Sequence, residues 1–116
     1  MRLNIRMRNL EPTESLRRHI ERRLQFALAP FNGRIRQVTV RVSDLNGPRG
    51  GCDKSCHVAI RLASGDGTIL VTDTQDDVYS AISGAMERAG RAVARQLLWH
   101  RQLRLGRFNA NRSRLD

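Results

Sequence analysis

Residues 2–16 read Arg2-Leu3-Asn4-Ile5-Arg6-Met7-Arg8-Asn9-Leu10-Glu11-Pro12-Thr13-Glu14-Ser15-Leu16, and the apolar period changes inside them. Leu3, Ile5 and Met7 alternate with Arg2, Asn4, Arg6 and Arg8, which is the period of a half-buried strand. Glu11-Pro12-Thr13-Glu14 then carries helix-start chemistry. Pro and Thr fall near the first turn, and acids meet the positive end of the helix dipole. Leu16, Ile20, Leu24, Ala27, Leu28 and Phe31 follow at helical spacing, with Arg17, Arg18, Glu21, Arg22 and Gln25 mostly off that stripe. Pro30 ends the helix, and Asn32-Gly33 is a turn.

Working outward, Ile35 to Asp44 reads as a second strand with Val38, Val40 and Val42 facing inward. Leu45-Asn46-Gly47-Pro48-Arg49-Gly50-Gly51 reads as a loop. Ser55 to Ala63 is a third strand, Ser64-Gly65-Asp66-Gly67 a hairpin turn, and Thr68 to Thr72 a fourth strand. Asp73-Thr74-Gln75-Asp76-Asp77 supplies N-cap candidates for a long helix. Its buried stripe is Val78, Ile82, Ala85, Met86, Ala89, Val93 and Leu97, and it reaches about His100 or beyond. Residues 105–116 show no apolar period and are expected to form a flexible basic tail, leaving 1–104 as the folded domain. The order βαβββα predicts an α+β two-layer sandwich, a four-stranded sheet with two helices packed on one face. The first two strands, joined through a helix, are expected to be parallel neighbours. The double-stranded-RNA-binding domain has a related order, but fold does not settle function.

The chain has 116 residues, 40% of them hydrophobic, which is enough for one core and little more. No apolar stretch approaches the ~18 residues of a membrane span. The start carries no secretory signal pattern, so a cytoplasmic location is the expectation. Formal net charge is +10, and of 21 basic residues only Lys54 is a lysine. Arg offers a planar donor fork that holds phosphate bidentately and stacks on bases. Such charge on a small domain is the footprint of a nucleic-acid partner. A GC-rich genome would account for Arg in place of Lys, but not for the net charge.

The charge is concentrated. Arg88, Arg91, Arg95, Arg101, Arg104, Arg107, Arg112 and Arg114 follow one another with no acid between them. Arg88, Arg91 and Arg95 are spaced three and four apart, so they share a helical ridge away from the apolar stripe. Like charges at that spacing repel, and a polyanion offsets the cost. Helix-dipole compensation at ~0.3–1 kcal/mol per charge accounts for one or two such residues, not eight. Arg17, Arg18, Arg22 and Arg23 add to this on the first helix, where Glu14 and Glu21 are in pairing reach. If the helices lie side by side, their basic edges merge into one surface.

The segment Asp77-Val78-Tyr79-Ser80-Ala81-Ile82, with Arg95-Gln96-Leu97-Leu98 and then His100-Arg101, resembles the second helix of the ribosome hibernation promoting factors. These are also called ribosome-associated inhibitor A-like proteins or the alternative-sigma-factor modulation family. Their pattern opens Asp-x-Tyr-x-Ala-Ile and closes on an Arg-Gln-Leu-x-x-His-Lys type of run. Leu3-Asn4-Ile5 and Thr13-Glu14-x-Leu16-Arg17 are similar to that family's first strand and helix, so the resemblance spans residues 1 to about 104. It implies a βαβββα domain that binds the small ribosomal subunit and its ribosomal RNA in the messenger and transfer RNA channel, inhibiting translation. By position, the RNA contacts implied are Arg88, Arg91, Arg95, His100, Arg101 and Arg104, with Arg17, Arg18 and Arg22 as further ones. The chain length leaves no room for the C-terminal dimerisation domain of long members. The basic tail and the Gly-rich loop also depart from well-studied members, as a divergent short form would.

Other chemistry is weakly signalled. Cys52-Asp53-Lys54-Ser55-Cys56-His57 lacks the paired spacing of a closed zinc site, and His19 and His100 fall on separate helices. The expected reading is a buried strand Cys56 and a loop Cys52, with no metal and no cofactor. Gly47, Gly50 and Gly51 with Arg49 lack the ending and following helix of a P-loop and read as a flexible hairpin loop, with an RNA contact through Arg49 and Lys54 as the other reading. Trp99 either caps the core edge or stacks on a base, with the core edge favoured. No catalytic grouping or small-molecule site is legible, so a non-enzymatic role is expected. The rival functions are a regulatory protein-interaction module that modulates a transcription factor, and a general structured-RNA binder.

Overall fold

The structure, a computed structural model, describes the backbone of residues 1–45, 53–65 and 67–115, and the side chains of those residues except 64 and 100–115. The elements are β1 (Arg2–Arg8), α1 (Glu14–Leu28), a 3-10 helix (Ala29–Arg34), β2 (Ile35–Asp44), β3 (Lys54–Leu62), a second 3-10 turn (Ala63–Gly65), β4 (Thr68–Gln75) and α2 (Val78–Leu115). The sheet order is β1-β2-β3-β4. β1 and β2 pair in parallel, and the other two pairings are antiparallel. This is the α+β arrangement expected from the sequence. The Gly-rich loop with Cys52, and Asp66 of the hairpin turn, lie outside the described residues.

Local chemistry starts each element where the sequence places it. Thr13 caps α1 through its side chain, which accepts from the Leu16 amide at 3.2 Å. The Asp77 carboxylate does the same for α2, accepting from the Ser80 amide at 3.0 Å. Gly65 and Gly67 sit at φ +73° and +105°, conformations that glycine adopts without strain, and so turn the chain from β3 into β4.

The pleat sorts the side chains. Leu3, Val38 and Ile60 share one row on the helix side, and Ile5, Val40 and Val58 the next. Against them lie Leu16, Ile20, Leu24 and Leu28 of α1 and Ile82, Met86, Ala89 and Val93 of α2, all buried in one cluster. Phe31, Ala27 and Leu97 of the expected stripes are only half-buried.

Two local expectations are corrected. β4 continues to Gln75, so Asp73 is not a helix cap but a strand residue on the core side, opposite Cys56 and only 6% exposed. Its carboxylate accepts from Gln75 Nε2 at 3.1 Å and pairs with Arg88 at 3.6 Å. Trp99 does not close the core edge. It is 57% exposed, and among the described side chains Leu97 is the last of α2 to be half-buried. The backbone of 105–115 is helical and continuous with α2. That stretch contains no proline, and Gly106 is its weakest helix former.

Gly84 explains how α2 passes over Asp73. A Cβ at Gly84 would stand 1.9 Å from Asp73 Oδ2, far inside contact distance. Gly84→Ala gains ~1 kcal/mol of helix propensity and loses more to overpacking, about 1–3 kcal/mol. We expect net destabilisation in urea unfolding, relieved when Asp73→Ser is added.

Burial, reinforced by the Asp73 carboxylate, pushes the Cys56 thiol up to about 12. The unfolded chain ionises this thiol near its ordinary value of 9.0 while the folded one holds its proton. Stability is therefore intact below that value and declines as pH rises toward about 12, with a slope of at most about 1.4 kcal/mol per pH unit. Hydrogen bonding to Asp53 raises Lys54 as well, which acts in the same direction. Denaturation midpoints across this alkaline range should fall for the parent chain and fall less steeply in Cys56→Ala.

Candidate nucleic-acid interface

The helix arginines do not form one patch. Arg17 borders a depression with Ile5, Met7 and Pro12, on the β1 flank. Arg88 lies at the opposite flank, donating to the Thr72 carbonyl of β4 at 3.0 Å while it pairs with Asp73. Since β1 and β4 are the two edges of the sheet, these two residues are on opposite sides of the domain. Arg88 also holds a buried carboxylate, so its charge has a structural partner already.

Arg18 and Arg22 are brought toward α2. They line a hollow of about 280 Å³ with Ser15, His19 and Tyr79. His19 packs edge-on to Tyr79, with ring centroids 4.9 Å apart, and its Nε2 lies 3.2 Å from Ser83 Oγ. Arg23 Nε donates to the same hydroxyl at 3.1 Å. These contacts lock α1 to α2 and leave Arg18 and Arg22 at the exposed helix junction. Arg23, part of the basic count on α1, takes a positioning role there.

Arg91 and Arg95 lie on the solvent ridge of α2, as the spacing required. Arg91 is 70% exposed and pairs with Glu87; Arg95 is exposed and has no ion pair among the described residues. The pairs Arg17 with Glu21, Arg18 with Glu14 and Arg91 with Glu87 are all i,i+4 pairs in solvent. Such pairs are worth about 0.3–0.5 kcal/mol, so an incoming phosphate displaces the acid at small cost. His100, Arg101 and Arg104 continue on the backbone of α2, and their side chains are outside those described.

Phe26, not singled out from the sequence, also shapes this surface. It is 82% exposed beside the groove between the helices, near Gly84, Glu87 and Gly90. The only sequence signal for it was its place off the apolar stripe. Leu98 and Trp99 are exposed just beyond Arg95. Cys56 is in the core while His57 is on the opposite face, its Nδ1 meeting the Thr72 hydroxyl, so these two do not converge. No group of three metal-binding side chains occurs among the described residues. No described helix is long and apolar enough to cross a membrane.

Comparison with known proteins sets these features in a family. Comparison with curated proteins gives no match. Among solved structures, the crystal structure of the Thermus thermophilus Protein Y N-terminal domain is similar, with a TM-score of 0.66 and 22% identity over 82% of this chain and 98% of that one. A ribosomal subunit interface protein from Coxiella burnetii aligns with a TM-score of 0.68 and 16% identity, covering 82% of this chain and 96% of that one. At these identities the two structures establish a shared fold. The family model described as sigma 54 modulation protein / S30EA ribosomal protein matches residues 3–97, and the chain belongs to that family.

Proposed function

We propose that this ribosome-associated family member is a hibernation-type factor that binds the small subunit and inhibits translation by occupying the messenger and transfer RNA channel. The observation that carries this reading is the exposed ridge of α2, Arg91 and Arg95, together with Arg18 and Arg22 at the helix junction. Among the described residues these guanidinium groups are either unpaired or held by weak solvent pairs. Ribosomal RNA phosphates compete for them, and the counterions released on binding drive association. No bond is made or broken; the mechanism is exclusion. Selectivity comes from shape and charge more than from base edges. The exposed Trp99 indole, four residues beyond Arg95, is free to stack on an unpaired base. Family membership and the shared fold support the ribosomal partner; the channel itself is our inference.

The test is co-sedimentation with ribosomal subunits across a salt series, with cell-free translation in parallel. Saturable binding to the small subunit at physiological salt, with inhibition, is expected. Arg91→Ala/Arg95→Ala should weaken that binding and reduce the log–log salt slope by about 1.4–1.8. Arg88 is unsuitable for this variant because it also holds Asp73. Binding only at low salt, with translation unaffected, would falsify the reading. A partner retained after nuclease treatment would move the function to protein modulation.

A further inference from the structure

The sheet's uncovered face holds a second concentration of positive charge, separate from the helices. Register fixes its layout. Arg6, Arg41, His57 and Thr72 form one row across the four strands, and Arg2, Gln37, Arg61 and Thr68 form another. Between them runs the uncharged row Asn4, Thr39, Ala59 and Leu70. The two basic rows are four residues apart along the strands, about 13 Å at ~3.3 Å per residue. Arg8 stands beyond the first row and, with Arg6, Arg41, Ser43 and His57, borders a depression of about 640 Å³. No acid occupies any paired position of this face.

The arrangement costs stability. Arg6 and Arg41 are direct cross-strand neighbours, and like charges so placed repel. Arg2, Arg6, Arg8, Arg41 and Arg61 make no ion pair or side-chain hydrogen bond among the described residues. Charges on an edge strand are a common guard against edge-to-edge association, which accounts for β1. It does not account for Arg41 and Arg61, which lie on the two inner strands. Solubility does not account for them either, since acids would serve equally and none is present. The face lacks an aromatic pair, so base stacking on a platform is not its mode. What remains is a band bordered by guanidinium groups on both sides, with the Asn4 amide and the Thr39 hydroxyl beside Ala59 and Leu70 between them. That suits a sugar-phosphate backbone: phosphates to the Arg rows, sugar hydroxyls to Asn4 and Thr39.

We propose that the open face of the sheet holds a single strand of RNA laid across the four strands between the two Arg rows. The domain would then be gripped between RNA on both layers, helix arginines on one side and sheet arginines on the other. Taking that RNA to be ribosomal rests on the function proposed above; the RNA-binding face itself does not.

The experiment uses the full chain, purified small ribosomal subunits and an oligouridylate of about 20 nucleotides, long enough for one strand to cross the sheet. The key variant is Arg6→Gln/Arg41→Gln/Arg61→Gln, with Arg6→Lys/Arg41→Lys/Arg61→Lys to retain charge. A photoreactive p-benzoylphenylalanine at Leu70, which is 65% exposed in the row between the arginines, reports proximity even if the triple variant folds poorly. We expect the Gln variant to bind at least tenfold more weakly near 0.1 M salt, with a log–log slope lower by about 2, and the Lys variant to keep most of that slope. We also expect a nuclease-sensitive RNA crosslink at position 70. Unchanged affinity and slope on both ligands, with no crosslink, would overturn the proposal; loss in Arg91→Ala/Arg95→Ala would then leave the ribosomal reading standing. If the parent chain ignores subunits yet binds oligouridylate through the sheet arginines, the ribosomal reading fails and this one holds. Displacement of oligouridylate by poly-glutamate at equal charge, without a crosslink, would make the face a site for an acidic protein segment and reject RNA.

Discussion

Val38, Val40 and Val42 of β2 are fully buried in one cluster with the apolar stripes of both helices, and everything else is arranged around that shared core. β2 is the strand that pairs in parallel on one side and antiparallel on the other. Because the helices cover one face only, the pleat sends alternate residues to the core and to solvent. The sorting leaves no polar helix-side position except near the strand ends, where Asp44, Asp53 and Asp73 are buried. Lys54 meets Asp44 and Asp53, and Arg88 meets Asp73. The small residue Gly84 lets α2 cross close above Asp73.

A domain of 116 residues with a net charge of +10 works against its own repulsion. The fold spreads that cost. Some guanidinium groups are absorbed into structure, as with Arg88 on β4 and Arg23 on Ser83. Others are lightly tethered to a neighbouring acid one helical turn away. Arg95 on the α2 ridge, and Arg2, Arg6, Arg8, Arg41 and Arg61 across the sheet, have no such tether among the described residues. This gradation separates arginines that hold the protein together from those free to meet a polyanion, a distinction that composition cannot make.

Much of the fold could be read from periodicity. The bounds of β2, Ile35–Asp44, follow from its alternating valines, and the parallel pairing of β1 and β2 follows from the helix between them. The extension of β4 was hidden because Asp73 and Gln75 look like cap chemistry, and only the third dimension supplies Arg88 as a partner for a buried carboxylate. Trp99 was hidden for a related reason: a sequence stripe does not reveal where the sheet beneath it stops. The arginine ridge of α2 was legible from spacing three and four, but its distance from Arg17 was not, since a helix wheel does not tell which edge of a sheet it faces. The sheet arginines were visible as an alternation, while their assembly into rows needed the register.

The parallel pairing of β1 with β2 also sets an order of assembly. Arg2 finds its sheet partner at Gln37, across a whole helix, whereas β3 and β4 close through a short turn. Closing the longer loop costs more chain entropy, so the local hairpin gains its contacts first and β1 docks late. Arg6 therefore takes its place beside Arg41 only when the sheet is complete. A chain still folding, or one with its first strand frayed, carries the same net charge but lacks the paired rows, so its electrostatic pattern marks the finished domain.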